Sequence, residues 1–85
     1  MKIVLNRNWG GFSLPKQFCE MYGYSKYDEI NRTDSKLIAF VEKNPDEVND
    51  LKVIEIPDDN TDYMIDEYDG FESIIYVIDG KLYRD

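Results

Sequence analysis

The 85-residue sequence contains no histidine and a single cysteine. The missing imidazole removes the commonest general base and the commonest neutral metal ligand. Cys19 can form no internal disulfide, which fits a reducing cytosol. It also lacks the His partner that a nucleophilic thiolate wants, so it is expected to act as a small buried hydrophobe. No apolar run approaches the ~20 residues of a membrane span, and one Lys followed by strand-like residues is not a secretory leader. Positive charge is scarce in one half: residues 46–79 carry twelve acids against Lys52 alone, and the formal net charge is −8. Such a field repels nucleic acid and acidic membranes and favours basic partners. Plain solubility is the bland alternative.

What remains is 42% hydrophobic and 14% aromatic, enough for one domain with a modest core. We expect a single α+β domain over residues 1–85. Its sheet would be small, mainly antiparallel and about five-stranded, with a C-terminal meander and two helices on one face. The last third organises it. Asp69-Gly70 and Asp79-Gly80 lie between β-forming runs, and Asp-Gly is the strongest short hairpin signal because a type I′ turn needs positive φ at both central residues. The predicted strands cover residues 2–6, 51–57, 62–68, 71–78 and 81–84, with helices near 14–22 and 34–43. The run 71–78 could also be helical on its apolar content. Ser13 is placed to cap the first helix, and Pro15 suits its first turn. Leu14, Phe18, Met21 and Tyr22 make its apolar stripe, and Gly23 stops it. Thr33 or Asp34 caps the second helix, which buries Leu37, Ile38, Phe40 and Val41. Between the helices, Tyr24, Tyr27 and Ile30 are expected to pin the connection to the body.

Two-residue turns fix the pairing by counting: Tyr68 faces Phe71, Glu67 faces Glu72, Ile65 faces Ile74, and Tyr76 faces both Tyr63 and Tyr83. Both faces of the meander are then largely apolar. The helices can cover only one, so the other meets the rest of the chain or a second subunit, and a homodimer is expected. The hairpin tip is the most unusual feature. Asp66, Glu67, Asp69 and Glu72 surround Tyr68 and Phe71, and Glu67 opposite Glu72 is a like-charge pair that weakens a hairpin. Acids around an aromatic anchor suit a basic protein surface. Asp58, Asp59 and Asp62 extend this candidate partner-binding region. Trp9, Gly10, Gly11 and Phe12 form an alternative contact loop, unless their rings plug the core edge.

Several stretches resemble a family of short acidic proteins of phages and prophages of Gram-positive bacteria. They are Lys2-Ile3-Val4-Leu5-Asn6, Gly10-Gly11-Phe12, Arg32-Thr33-Asp34, Glu55-Ile56-Pro57-Asp58-Asp59 and Ile65-Asp66-Glu67-Tyr68-Asp69-Gly70. The pattern departs after Phe71. The resemblance implies a phage protein in the cytoplasm of a bacterial host, a setting in which small acidic proteins often block defences.

No catalytic residues, cofactor or metal site are expected. Asp58, Asn60 and Asp62 have calcium-loop spacing, but Tyr63 stands where the loop needs Gly and Asp69 where it needs Glu. Pro57-Asp58 with Asp79-Gly80-Lys81 matches a loose nuclease pattern, although Asp79-Gly80 is better explained as a turn. Gly10-Gly11 lacks the Gly-Lys-Ser/Thr of a phosphate cradle. The expected function is therefore a non-catalytic inhibitor of a basic host protein, either a defence effector (anti-CRISPR-like or another anti-defence role) or a nucleic-acid-binding protein. It would contact neither nucleic acid nor membrane directly. The alternatives are an oligomer that sequesters a small anionic ligand with Arg7, Lys16 or Arg32, and a structural or regulatory phage protein.

Overall fold

A computed structural model describes residues 1–46, 48, 50–57 and 62–85. The element order is β1 (Lys2–Asn6), α1 (Lys16–Tyr22), α2 (Ser35–Lys43), β2 (Leu51–Glu55), β3 (Asp62–Tyr68), β4 (Phe71–Ile78) and β5 (Lys81–Arg84). This is the expected α+β class, and residues 71–78 are strand. The five strands divide into two antiparallel sheets, a β1–β2 pair and a β3–β4–β5 meander. The meander registers are those expected from two-residue turns: Tyr68 lies opposite Phe71, Glu67 opposite Glu72, and Ile78 opposite Lys81. Asp69 and Asp79 take φ of 52° and 50°, each followed by a Gly with positive φ. Those angles give a right-twisted type I′ hairpin its tight turn.

The β1–β2 ribbon is the middle layer, because successive side chains of a strand point to opposite faces. Val4, Leu51 and Val53 join Leu14, Phe18, Leu37, Phe40 and Val41 in the core beneath the helices. Ile3, Leu5, Ile54 and Ile56 point the other way and meet Ile65, Ile74 and Tyr76 of the meander. The order of layers is thus helices, ribbon, meander. This revises the expectation of one sheet with both helices on its face: the helices touch the ribbon and leave the meander to it.

Local chemistry explains the helix ends. Asp34 caps α2, its carboxylate accepting hydrogen bonds from the Lys36 and Leu37 amides and satisfying donors that have no partner inside the helix. Gly23 ends α1 in the left-handed conformation, its N–H donating to the Cys19 carbonyl. At the start of α1, the capping position falls to Pro15 with no side-chain cap, two residues later than Ser13 suggested. Phe18 is fully buried, whereas Met21 is exposed, so the stripe predicted for α1 is shorter than its spacing implied. Tyr24 and Ile30 pack against the helical core as expected, but Tyr27 is exposed. Among the described residues no helix is long and apolar enough to cross a membrane.

Candidate functional site

Two regions far apart in sequence, the loop after β1 and the β3–β4 turn, meet at one end of the molecule. The join begins at Asn6. Its backbone N–H donates to Glu72 Oε1 at 2.7 Å, and its side-chain Nδ2 donates to the Gly70 and Asn8 carbonyls at 2.7 and 2.8 Å. The Gly10 N–H then donates to the Asp69 carbonyl at 3.1 Å. The backbones approach so closely that a Cβ placed on Gly70 would lie 2.1 Å from the Gly11 nitrogen. Only glycine fits at residue 70, both for this approach and for its φ of 88°.

Beneath the turn lies an ion pair. The Arg32 guanidinium donates to both carboxylate oxygens of Glu72, at 2.5 and 2.9 Å, and to the Val4 carbonyl at 3.3 Å. It also stacks over the Phe12 ring with 3.6 Å to the centroid. Two parallel N–H···O bonds fix direction as well as distance, so the network ties β1, the Gly10-Gly11 loop, the Arg32 segment and the hairpin into one rigid corner. Glu72 is only 5% exposed. This corrects the expectation that Glu72 belongs to an exposed acidic tip. Its place in the alternation puts it beside Ile74 and Tyr76 on the inner face, where Arg32 balances its charge. The like-charge pair across the hairpin is resolved in the same way: Glu72 turns inward, and Glu67 accepts a hydrogen bond from the Gly70 N–H at 3.2 Å.

Above the turn the rings are exposed. Trp9 packs edge-on against Tyr68 with 6.1 Å between centroids, and tilted against Phe71 at 5.5 Å. Trp9 is 60% exposed and Tyr68 77%. The expected tip and the alternative loop are therefore one surface, and Trp9 does not plug the core. Phe12 is the exception in that loop, since it packs against the helical core and beneath Arg32. Asp66, Glu67 and Asp69 are exposed around the rings. Asp66 pairs with Arg84 at 3.0 Å, and Asp50 accepts a hydrogen bond from Asn8 at 2.8 Å. Asp62 is exposed at the far end of β3. Asp58 and Asp59, and the calcium-like and nuclease-like patterns that use Asp58, lie outside the described residues.

The three bases considered for an anion pocket have other positions. Arg32 is held by Glu72, and Arg7 reaches the Asp85 carboxylate at 3.3 Å and lies 5.6 Å from the Phe71 ring centroid. Lys16 lines a different hollow with Pro15, Gln17, Phe40 and Val48. Among the described residues, no three His, Cys, Asp or Glu side chains are placed to share a metal ion.

The outer face of the meander continues the ring surface. Met64 is 60% exposed and Leu82 74%, with Ile75 and Val77 half-buried between them. Compared with known proteins, the chain matches no family model, no curated protein and no solved structure.

Proposed function

We propose that the chain is a phage-encoded, non-catalytic binding protein of the bacterial host cytoplasm. It engages a basic defence or nucleic-acid-handling protein through the corner built by Trp9, Tyr68 and Phe71. The observation that carries this reading is the pair of rings, Trp9 and Tyr68, standing mostly in solvent on a rigid support and rimmed by Asp66, Glu67 and Asp69. Large aromatic side chains exposed together are anchors in search of a pocket. Holding them in place before binding lowers the ordering cost of association. The carboxylates select a positively charged partner and speed its approach. The phage setting rests on the sequence resemblance.

Affinity capture from a Gram-positive host lysate, followed by titration of the captured protein, tests this reading. Replacing Asp66 and Glu67 with Lys, together with Asp69→Asn, should slow association, while Trp9→Ala should speed dissociation. Asn is chosen at residue 69 because it tolerates the positive φ there. Glu72 is left intact because its loss would strand Arg32. Unchanged affinity in all these folded variants would remove the corner from the mechanism.

A second reading uses the same face. Met64, Ile75, Val77 and Leu82 form an apolar strip beside the rings, and a second copy of the chain seated on it would make a homodimer. Light scattering across a concentration series separates the two readings, since a dimer should give twice the monomer mass without any host protein.

A further inference from the structure

The rim of carboxylates makes the partner basic but does not distinguish arginine from lysine. The rings do. We infer that the open corner between Trp9 and Tyr68 takes an arginine side chain of the partner in preference to lysine, an inference that rests on the binding role proposed for this surface. The two ring planes stand 76° apart with centroids separated by 6.1 Å. Such a corner offers a flat guanidinium one ring face to lie on and a second ring beside it. Asp69, next to Tyr68 in the chain and exposed, supplies a carboxylate beside the rings, and Asp66, two residues away on the same face of β3, adds negative charge that Arg84 partly balances.

The chain already uses this chemistry internally. Arg32 lies over the Phe12 ring while its N–H groups meet both oxygens of Glu72. That inner arrangement has a ring from the post-β1 loop, a carboxylate from the β3–β4 hairpin and a guanidinium between them. The solvent side of the same junction repeats the first two parts, with Trp9 from the loop and Asp69 from the hairpin. A guanidinium is planar, weakly hydrated and forked, so it can stack and pair at once. An ammonium is a compact, strongly hydrated charge that gains less from a ring face.

Trp9 is the only tryptophan in the sequence, so its fluorescence reports on the corner directly. Tetra-arginine and tetra-lysine peptides of equal charge are titrated into the full chain at low and at physiological salt. Tetra-arginine should change the Trp9 emission and bind about two- to fivefold more tightly, the span expected of an exposed cation–π contact. Both affinities should fall with salt while their ratio persists, because screening acts on charge and not on stacking. Tyr68→Ala should bring the ratio to one, and Tyr68→Phe should keep it. Residue 68 is mostly exposed, so neither change threatens the fold. Equal affinities for the two peptides, or a preference that survives Tyr68→Ala, would overturn the arginine inference. In that case, a captured host protein still sensitive to the Asp66 and Glu67 reversals would leave the wider binding role standing. Loss of both would discard the surface altogether.

Discussion

The two faces of the meander are close to equal in apolar content and opposite in fate. On the inner face Ile65, Ile74 and Tyr76 meet Ile3, Leu5 and Ile56, and Ile74 is wholly buried. On the outer face Met64 and Leu82 stand mostly in solvent. The difference does not come from the meander. It comes from the β1–β2 ribbon, which is apolar on both sides and so bridges two layers. Val4, Leu51 and Val53 accept the helices, and Ile3, Leu5, Ile54 and Ile56 accept the meander. With the ribbon spent on one side of the meander, the other is covered only at the hairpin end, where Trp9 and Arg7 lie against Phe71, and Met64 and Leu82 are left in solvent. An alternating strand announces that it has two faces; its neighbours decide which one is interior.

The largest expected effect comes from adjacent residues of β4. Ile74→Ala should cost about 2–5 kcal/mol of stability, since it empties space in a closed core. Ile75→Ala, one residue along and half-buried on the outer face, should cost about 1 kcal/mol. Urea denaturation with an unchanged slope for both variants measures the gap. Equal losses would show that the outer face is as closed as the inner one, and the comparison would fail.

A smaller contrast is set across the hairpin, where Glu67 and Glu72 face each other. Glu72→Ala removes the partner of Arg32, and a partly buried guanidinium left without its carboxylate should cost about 2 kcal/mol. Glu67→Ala should cost less, about 1 kcal/mol, the loss of one hydrogen bond to the Gly70 N–H from an otherwise exposed side chain. Besides the denaturation midpoint, hydrogen exchange at the Asn6 and Gly10 amides reads the same difference. Both should lose protection in the Glu72 variant, because the first donates to that carboxylate and the second depends on the closed corner. Protection that survives Glu72→Ala would locate the rigidity of the corner in the contacts that Asn6, Gly10 and Gly11 make with the Asp69-Gly70 turn.

Much of this fold is legible in the sequence. Asp69-Gly70 and Asp79-Gly80 fix the strands on either side and their registers, because a two-residue turn leaves no slack in the counting. The end of α1 at Gly23 and the capping of α2 by Asp34 follow from local chemistry of the same kind. The role of Glu72 follows only in part. Its phase with Ile74 and Tyr76 points it inward, but the sequence does not announce that Arg32, forty residues earlier, stands ready to meet it. The partition of five strands into two sheets is hidden for a related reason. Ile3, Val4 and Leu5 read as one apolar run, and such a run is what a strand buried on both faces looks like. The union of the Trp9 loop with the hairpin tip depends on Asn6 and on two glycines touching across the fold. No local pattern encodes that contact.

The smallest expected effect on stability is also the sharpest test of what the outer face is for. Met64→Ser with Leu82→Ser replaces two side chains that already stand in solvent, so each change should move stability by less than about 0.5 kcal/mol. If the face serves a second copy of the chain, unfolding of the unaltered protein must depend on its concentration, because association stabilises the folded state by mass action. The double variant should lose that dependence and give a monomer mass in light scattering, while its midpoint matches that of the unaltered chain at high dilution. If the face instead serves a host protein, the midpoint of the unaltered chain should not move with concentration. The double variant should then keep its mass and lose affinity for the captured partner. Neither outcome disturbs Ile74 or the ribbon beneath it, so the inner face provides the control. A double variant that unfolds would mean that Met64 and Leu82 already hold the monomer together, and the contrast between the two faces would have to be abandoned.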